Sequence, residues 1–357
     1  MLPTKTAATS VRLHSATRRA LEQAVKRQGS TLSGFLESAV RAALPADLRA
    51  TLPSHVPALG PETPLIKWVG GKRKLLPTLV EHLPNREAVL AGRARFFEPF
   101  LGGGALFLHL QARSLAAGHG LQAVLNDSSP ELVNLYCQVR DRPDALAREL
   151  KKESYSLNET AFRTVRAWDR EPGWGAARHA TRRAARFLYL NKTAFNGLWR
   201  VNRAGHFNVP YGAYARLTLP DAATLKGYAR LLAGVELSCG DFAASVATAQ
   251  AGDVVYFDPP YAPASATASF TAYTRAGFDA GMQERLAALL AELSERGVNW
   301  VLSNSDTPFA RALFGDLEGA TVHNVQMARS INRDAAGRGK VDELLVVGPV
   351  HPSSQGP

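Results

Sequence analysis

Cysteine is nearly absent: the 357-residue chain has two, Cys137 and Cys239. Neither sits at metal-ligand spacing from a partner, so a disulfide framework and a structural zinc site are both excluded. A reduced, cytoplasmic setting follows. The nine histidines are scattered, and no metal is expected. No apolar run approaches the about 20 residues of a bilayer span, and no apolar signal core precedes the polar N-terminal helices. Membrane function is excluded on that ground. Acids are missing from one stretch. Between Pro172 and Pro220 there is no Asp or Glu, while Arg178, Arg182, Arg183, Arg186, Lys192, Arg200, Arg203 and Arg216 all fall there. Lys and Arg total 42 against 31 Asp and Glu, a formal net charge of +11. That excess points to a polyanionic partner bound through salt-sensitive phosphate contacts. A solvated basic face is the plainer reading of the same residues.

What the chain does have is Gly252-Asp-Val-Val-Tyr-Phe-Asp258-Pro259-Pro260-Tyr261. Val254 to Phe257 is β-branched and aromatic, as a buried strand requires. Two prolines then end it, since neither can donate to a ladder and each restricts the residue before it. The result is a stiff turn at the carboxyl end of a strand, where open α/β sheets take their ligands. Asp258, the proline carbonyls and the Tyr261 ring can together accept hydrogen bonds from an exocyclic amine and stack on a flat base. An ordinary strand-ending Asp-Pro turn would carry the same four residues.

Residues 1–44 form a unit of their own. Thr9 to Ser15 alternates, with Val11 and Leu13 opposite Ser10, Arg12 and His14, as on a half-buried strand. Two amphipathic helices follow, Ala16 to about Gln28 and Leu32 to about Leu44, separated by Gly29 and capped by Ser30 or Thr31. So short a unit cannot build a core alone, so a homodimer formed through it is expected. It resembles the ribbon-helix-helix DNA-binding fold, which would turn Ser10, Arg12 and His14 toward bases. An accessory hairpin with no DNA role fits the pattern too. Residues 45–64, with prolines at 45, 53, 57, 61 and 64, read as a linker.

The second domain opens with Leu65-Ile-Lys-Trp-Val-Gly-Gly-Lys72, whose apolar start suggests a strand edge. Ala94 to Glu98 then reads as a strand, Phe100 to Gly104 as a glycine turn, and Ala105 to about Ala116 as a helix. A second strand, Leu121 to Leu125, ends in Asn126-Asp127, where a carboxylate can accept from ribose hydroxyls. A helix from Pro130 to Val139 follows. Residues 146–232 interrupt the alternation. Leu198 to Asn202 and His206 to Val209 pattern as a hairpin around Arg203-Ala204-Gly205, with Leu198, Arg200 and Asn202 on one face. Such a face suits unstacking and reading base pairs; a surface hairpin with ordinary alternation fits equally well. Val235 to Cys239, a helix from Asp279 to Arg296, and strands at Trp300–Ser303, Val322–Ala328 and Glu343–Val347 complete the sheet.

Taken in order, the segments Leu-Ile-Lys-Trp-Val-Gly-Gly-Lys, Phe-Glu-Pro-Phe-Leu-Gly-Gly-Gly-Ala, Asn-Asp-Ser-Ser-Pro-Glu-Leu, the run from Leu190 to Gly212 and the run from Asp258 to Tyr273 resemble the Dam family of DNA adenine-N6 methyltransferases. The resemblance spans about Leu65 to Val347. It implies a doubly wound, Rossmann-like α/β domain binding S-adenosylmethionine (residues 65–145 and 233–350), with residues 146–232 as an inserted helical and β-hairpin target-recognition domain. It assigns the cofactor to Trp68, Lys72, Phe100, Gly102, Gly104, Asp127 and Asp258. The transfer turn would be Asp258, Pro259, Pro260 and Tyr261. It implies duplex GATC as target, with Arg200 reading a guanine, Lys67 the outer guanine, and Phe195, Asn196, Leu198 and Pro210 around the gap left by the flipped adenine. Phe195 stands where several members have Tyr, so an aromatic stack survives and a phenol hydrogen bond does not. A cytoplasmic, nucleoid-associated enzyme is implied, in a chromosomal, phage or restriction-modification setting. A different target sequence, cytosine N4, or a non-enzymatic DNA-binding regulator with a degenerate domain stay open here. An ordinary Rossmann dehydrogenase leaves the Asp-Pro-Pro-Tyr turn unexplained.

Overall fold

The computed structural model describes residues 63–261, 278–328 and 340–351. The chain divides into two units, Met1–Ala58 and Leu59–Pro357, and every described residue belongs to the second. Ser10, Arg12 and His14, the linker before Thr63, and the run from Ala262 to Tyr273 therefore lie outside the described residues.

Seven strands form one sheet in the order β3-β2-β1-β4-β5-β7-β6. They are β1 Arg95–Glu98, β2 Gln122–Asp127, β3 Glu236–Cys239, β4 Val254–Phe257, β5 Asn299–Ser305, β6 Thr321–Ala328 and β7 Lys340–Val347. β1 to β5 run parallel, and β7 is antiparallel to both β5 and β6. Successive side chains of β1 and β4 enter opposite layers. Phe96, Val254 and Tyr256 join one core cluster, while Phe97, Val255 and Phe257 join the other. Burial on both faces is why these strands read as continuous apolar runs rather than alternating ones. The direction of winding reverses between β1 and β4, which puts the topological switch point at their carboxyl ends.

The helices are α1 Leu76–Glu81, α2 Arg86–Leu90, α3 Ala105–Ala116, α4 Pro130–Asp141, α5 Pro143–Glu149, α6 Glu159–Ala167, α7 Ala180–Thr193, α8 Ala222–Leu231, α9 Phe242–Ser245 and α10 Ala280–Glu295. Their starts follow capping chemistry. Ser129, Asn158, Asp221 and Asp279 each accept from a backbone N–H in the first turn of α4, α6, α8 and α10. Helices α4 to α8 and a hairpin all lie between β2 and β3, as one long insertion.

Two expectations need correction. Leu65 to Trp68 is not a strand: Leu65 and Ile66 are core residues, and the Lys67 backbone is bonded to a side chain, Asn191, instead of to a ladder. The basic stretch is also less free than its composition suggests, because three of its arginines find acids from outside the stretch. Arg186 is 1% exposed, pairs with Asp169 at 2.7 Å and donates to the Val165 and Arg166 carbonyls. Arg183 pairs with Glu131, and Arg182 pairs with Glu171 while lying over the Trp168 ring. These three hold α7 to its neighbours. Counting charge along the chain cannot see partners that the fold brings in.

Candidate active site

Three adjacent parallel strands end in carboxylates. Glu98 closes β1, Asp127 closes β2, and Asp258 follows β4 directly. Burial drives the Asp258 carboxyl up to about 6, against the pull of Lys72. It lifts Asp127 to about 6, against two backbone N–H donors, and pushes Glu98 well above the usual carboxylate range with help from nearby Asp258. A site so rich in buried acid suits a cationic ligand.

The turn between β1 and α3 is built around Asp127. Gly102 N–H donates to Asp127 Oδ2 at 3.0 Å, and Ser129 N–H to Oδ1 at 2.9 Å. Asn126 donates its amide to the Pro99 carbonyl, and Tyr136 donates to the Gly102 carbonyl at 3.0 Å. Gly102 and Gly104 have φ of +48° and +64°, in the left-handed region that favours glycine. A Cβ on Gly102 would lie 2.6 Å from the Trp68 ring, so that indole seats directly on the turn. Phe100 stacks on Phe242 at the turn's other side.

At the end of β4, Lys72 joins the first motif to the fourth strand. Its ammonium lies 2.7 Å from Asp258 Oδ1, 2.7 Å from the Gly70 carbonyl and 4.7 Å from the Tyr261 ring centre. Lys72 is 3% exposed and Asp258 keeps 20% of its side chain accessible, so the ion pair is sheltered while one edge of the carboxylate opens outward. The buried Tyr261 hydroxyl lies close to Glu343 on β7; burial first, then the nearby carboxylates of Asp258 and Glu343, push its pKa up.

The hairpin exists in reduced form, as isolated antiparallel bridges Val201↔Phe207 and Ala194↔Tyr211. Its inner face is Trp199, Phe207 and Val209, all buried; Trp199 stacks on Phe187 at 3.9 Å, and Phe187 stacks on Trp68 at 6.3 Å. Its outer face exposes Phe195 (48%), Asn196, Arg200, Asn202 and Pro210, with Leu198 half-buried. Arg200, exposed on this face, donates its Nε to Asn208 Oδ1 at 2.8 Å, which leaves its terminal nitrogens out of that bond. Asn202 Oδ1 accepts from the Ala204 and His206 N–H groups and closes the turn, while the side chain stays exposed. Asn196 adopts a left-handed φ of +55°, and Gly197 one of +66°. Exposed Lys67 lies against the root of this hairpin, its ammonium 5.5 Å from the Tyr214 ring, and partly buried Lys192 is lowered in pKa by burial and by Lys67.

The structure thus gathers Trp68, Phe100, Gly102, Gly104 and Asp127 at one turn, and Lys72, Asp258 and Tyr261 at the next. Lys67, Phe195, Asn196, Arg200 and Pro210 share an exposed surface with the edge of Leu198. Sequence reading passed over Glu98, Tyr136, Phe187, Asn191, Asn208, Tyr214, Gln283 and Glu343. Only Glu98 had a local signal, as the last residue of a strand that enters a glycine turn. Among the described residues no cluster of His, Cys, Asp or Glu is arranged to hold a metal ion, and no helix is long and apolar enough to cross a membrane.

Comparison with known proteins agrees with this geometry. Residues 68–331 match the family model of the D12 class N6 adenine-specific DNA methyltransferases. The chain is 37% identical over 285 residues to the type II methyltransferase M1.LlaDCHI of Lactococcus lactis subsp. cremoris, covering 79% of this chain and 94% of that protein. It is 35% identical to a DNA adenine methylase of Vibrio cholerae (81% and 97% covered) and 36% identical to that of Escherichia coli K12 (79% and 94%).

Proposed function

The chain belongs to the D12 class of N6 adenine-specific DNA methyltransferases, and we propose that it methylates the adenine of duplex GATC with S-adenosylmethionine as donor. As a site-specific adenine methyltransferase its substrate is DNA. The observation that carries the finer reading is the junction of Lys72 with Asp258 and Tyr261, beside the partly buried Asp127 and the buried Glu98. A donor bearing a sulfonium and an ammonium fits that surplus of acid. Trp68, Phe100, Gly102, Gly104 and Asp127 would hold it, with the Asp127 lone pairs not used by Gly102 and Ser129 open to hydroxyl donors. When bound, S-adenosylmethionine supplies an electrophilic methyl group.

The rest is work for this chain's residues. The adenine amine is a poor nucleophile because its lone pair is conjugated with the ring. Asp258 and the Pro259 carbonyl accept its two hydrogens, which pyramidalises the nitrogen and frees that pair. Tyr261 stacks on the extruded base, replacing duplex stacking that costs a few kcal/mol to break. With its carboxyl near 6, Asp258 is ionised at neutral pH and serves as acceptor, not as a strong base. The proton leaves after transfer. Positioning dominates the rate in such a displacement.

Arg200, exposed and held through its Nε alone, suits the O6 and N7 of a guanine. Lys67 suits the outer guanine, and Phe195, Asn196, Leu198 and Pro210 suit the gap. Residues 1–44 are proposed as a second DNA contact that pairs two copies, in a cytoplasmic, nucleoid-associated enzyme. The test is methyl-label transfer to duplexes with and without GATC. Transfer to the first alone, abolished by Asp258→Ala, is expected; equal transfer to both would remove the GATC assignment.

A further inference from the structure

The turn after β4 has an anchoring problem that its sequence creates. Pro259 and Pro260 have no N–H, so no ladder hydrogen bond can fix them, yet the Pro259 carbonyl and Tyr261 ring must be aimed. The anchor comes from elsewhere. Gln283, in the first turn of α10 and 1% exposed, donates its Nε2 to the Pro260 carbonyl at 2.9 Å. Its own Oε1 accepts from Asn304 Nδ2 at 3.2 Å. Asn304 is fully buried on β5, next to β4, and is held in turn by the Ser305 N–H on its Oδ1 at 2.8 Å. The chain β5–Asn304–Gln283–Pro260 therefore sets the tilt of the peptide between Pro260 and Tyr261. Gln283 takes the Pro260 carbonyl and not the neighbouring Pro259 one, which faces the amine in the reading above.

We propose that Gln283, oriented by Asn304, is a positioning residue for methyl transfer: it locks the Pro260–Tyr261 peptide so that the Pro259 carbonyl and the Tyr261 ring meet the flipped base together. This rests on the assignment of Asp258 to Tyr261 as the transfer turn. A misplacement of about 1 Å costs up to about a hundredfold in rate. Gln283→Met keeps the length and apolar packing but loses both hydrogen bonds. In the full-length protein its single-turnover methyl transfer should fall by about tenfold to a hundredfold, while affinities for S-adenosylmethionine and for duplex stay within about threefold of the parent. Gln283→Glu adds a readout that packing alone cannot move. Only its protonated carboxyl can donate to the Pro260 carbonyl, so its rate relative to the parent should rise as pH falls from about 8 to about 6. The Gln283→Met ratio should stay flat over that range.

Asp258→Asn, run alongside, separates the two readings. If Asp258→Asn loses transfer while Gln283→Met keeps the parent rate, the positioning role is wrong and the turn assignment stands. If Asp258→Asn transfers at the parent rate, the turn assignment itself falls. Loss in Gln283→Met matched by equal loss of cofactor or duplex affinity would overturn positioning as well. Should Gln283→Met not fold, the pH ratio of Gln283→Glu decides alone, and a flat ratio refutes.

Discussion

Replacing Lys72 by methionine should move the acid limb of the transfer rate toward higher pH. The ammonium sits 2.7 Å from Asp258 Oδ1, and both side chains are sheltered. Burial raises that carboxyl and Lys72 restrains the rise, leaving it at about 6. A cation at such range lowers a carboxyl by about 1–3 pH units. Its removal should therefore carry the limb to roughly 7–9. At pH 7 the ionised, accepting form of Asp258 would drop from about nine-tenths to roughly half or less. Single-turnover transfer at saturating donor and duplex should then fall at least about twofold at neutral pH and recover at alkaline pH. Lys72 also bonds the Gly70 carbonyl and lies over Tyr261, so its loss should lower the whole profile too. That offset does not depend on pH, whereas the limb does. A variant profile that is lower but rises at the parent's pH would refute the electrostatic role given to Lys72.

Two further outcomes test the physical account. Asp127 has a folded-state pKa of about 6 against an ordinary 3.8, so the native state binds more protons between those values and stability falls as pH rises through that window. Asp127→Asn removes this dependence, and the stability gap should shift in the variant's favour by up to about 3 kcal/mol from about pH 4 to about pH 7. Urea unfolding at several pH values measures it; a gap that ignores pH would contradict a carboxyl that the fold keeps from ionising. Arg186→Met takes the buried guanidinium from Asp169, which keeps Arg170 and the Phe207 N–H, and removes the donor to the Val165 and Arg166 carbonyls, so it should cost about 1–3 kcal/mol of stability. Its DNA binding should keep the parent's salt dependence, and a log–log slope reduced by about one would put Arg186 on the DNA after all.

Much of the catalytic domain could be read directly. Val254–Phe257, the helix Ala105–Ala116 and the Asp279 cap follow from β-branching, a glycine turn and a side-chain acceptor, which are local causes. The site residues on short motifs share that legibility, because each motif folds on itself. What escaped depends on partners far along the chain. Arg186 looked like part of a basic face until the turn after α6 supplied Asp169, and Leu65–Trp68 looked like a strand because the Asn191 amide, an alternative to a ladder, is invisible in a local window. Trp199 carried no reading at all, yet its stack on Phe187 is what turns Arg200 outward on the next residue.

The consecutive pair Lys67 and Trp68 ties the hairpin to the glycine turn. Trp68 seats on the glycine turn, while Lys67 emerges at the hairpin root. The peptide between them has little freedom. Asn191 accepts from Lys67 N–H at 2.9 Å and donates to both the Lys67 and Gly197 carbonyls. Gly197 is favoured at its position by a φ of +66° and by the 3.0 Å approach that a Cβ would make to the Asn191 carbonyl oxygen. One buried amide thus fixes the segment of Lys67 and Trp68 and the hairpin in mutual register. Outer-face side chains such as Arg200 contribute nothing to that register and can be exchanged without disturbing it. Change of target sequence within such a scaffold should accordingly run through the exposed hairpin positions, with Asn191, Gly197 and the Trp68–Phe187–Trp199 stack left intact.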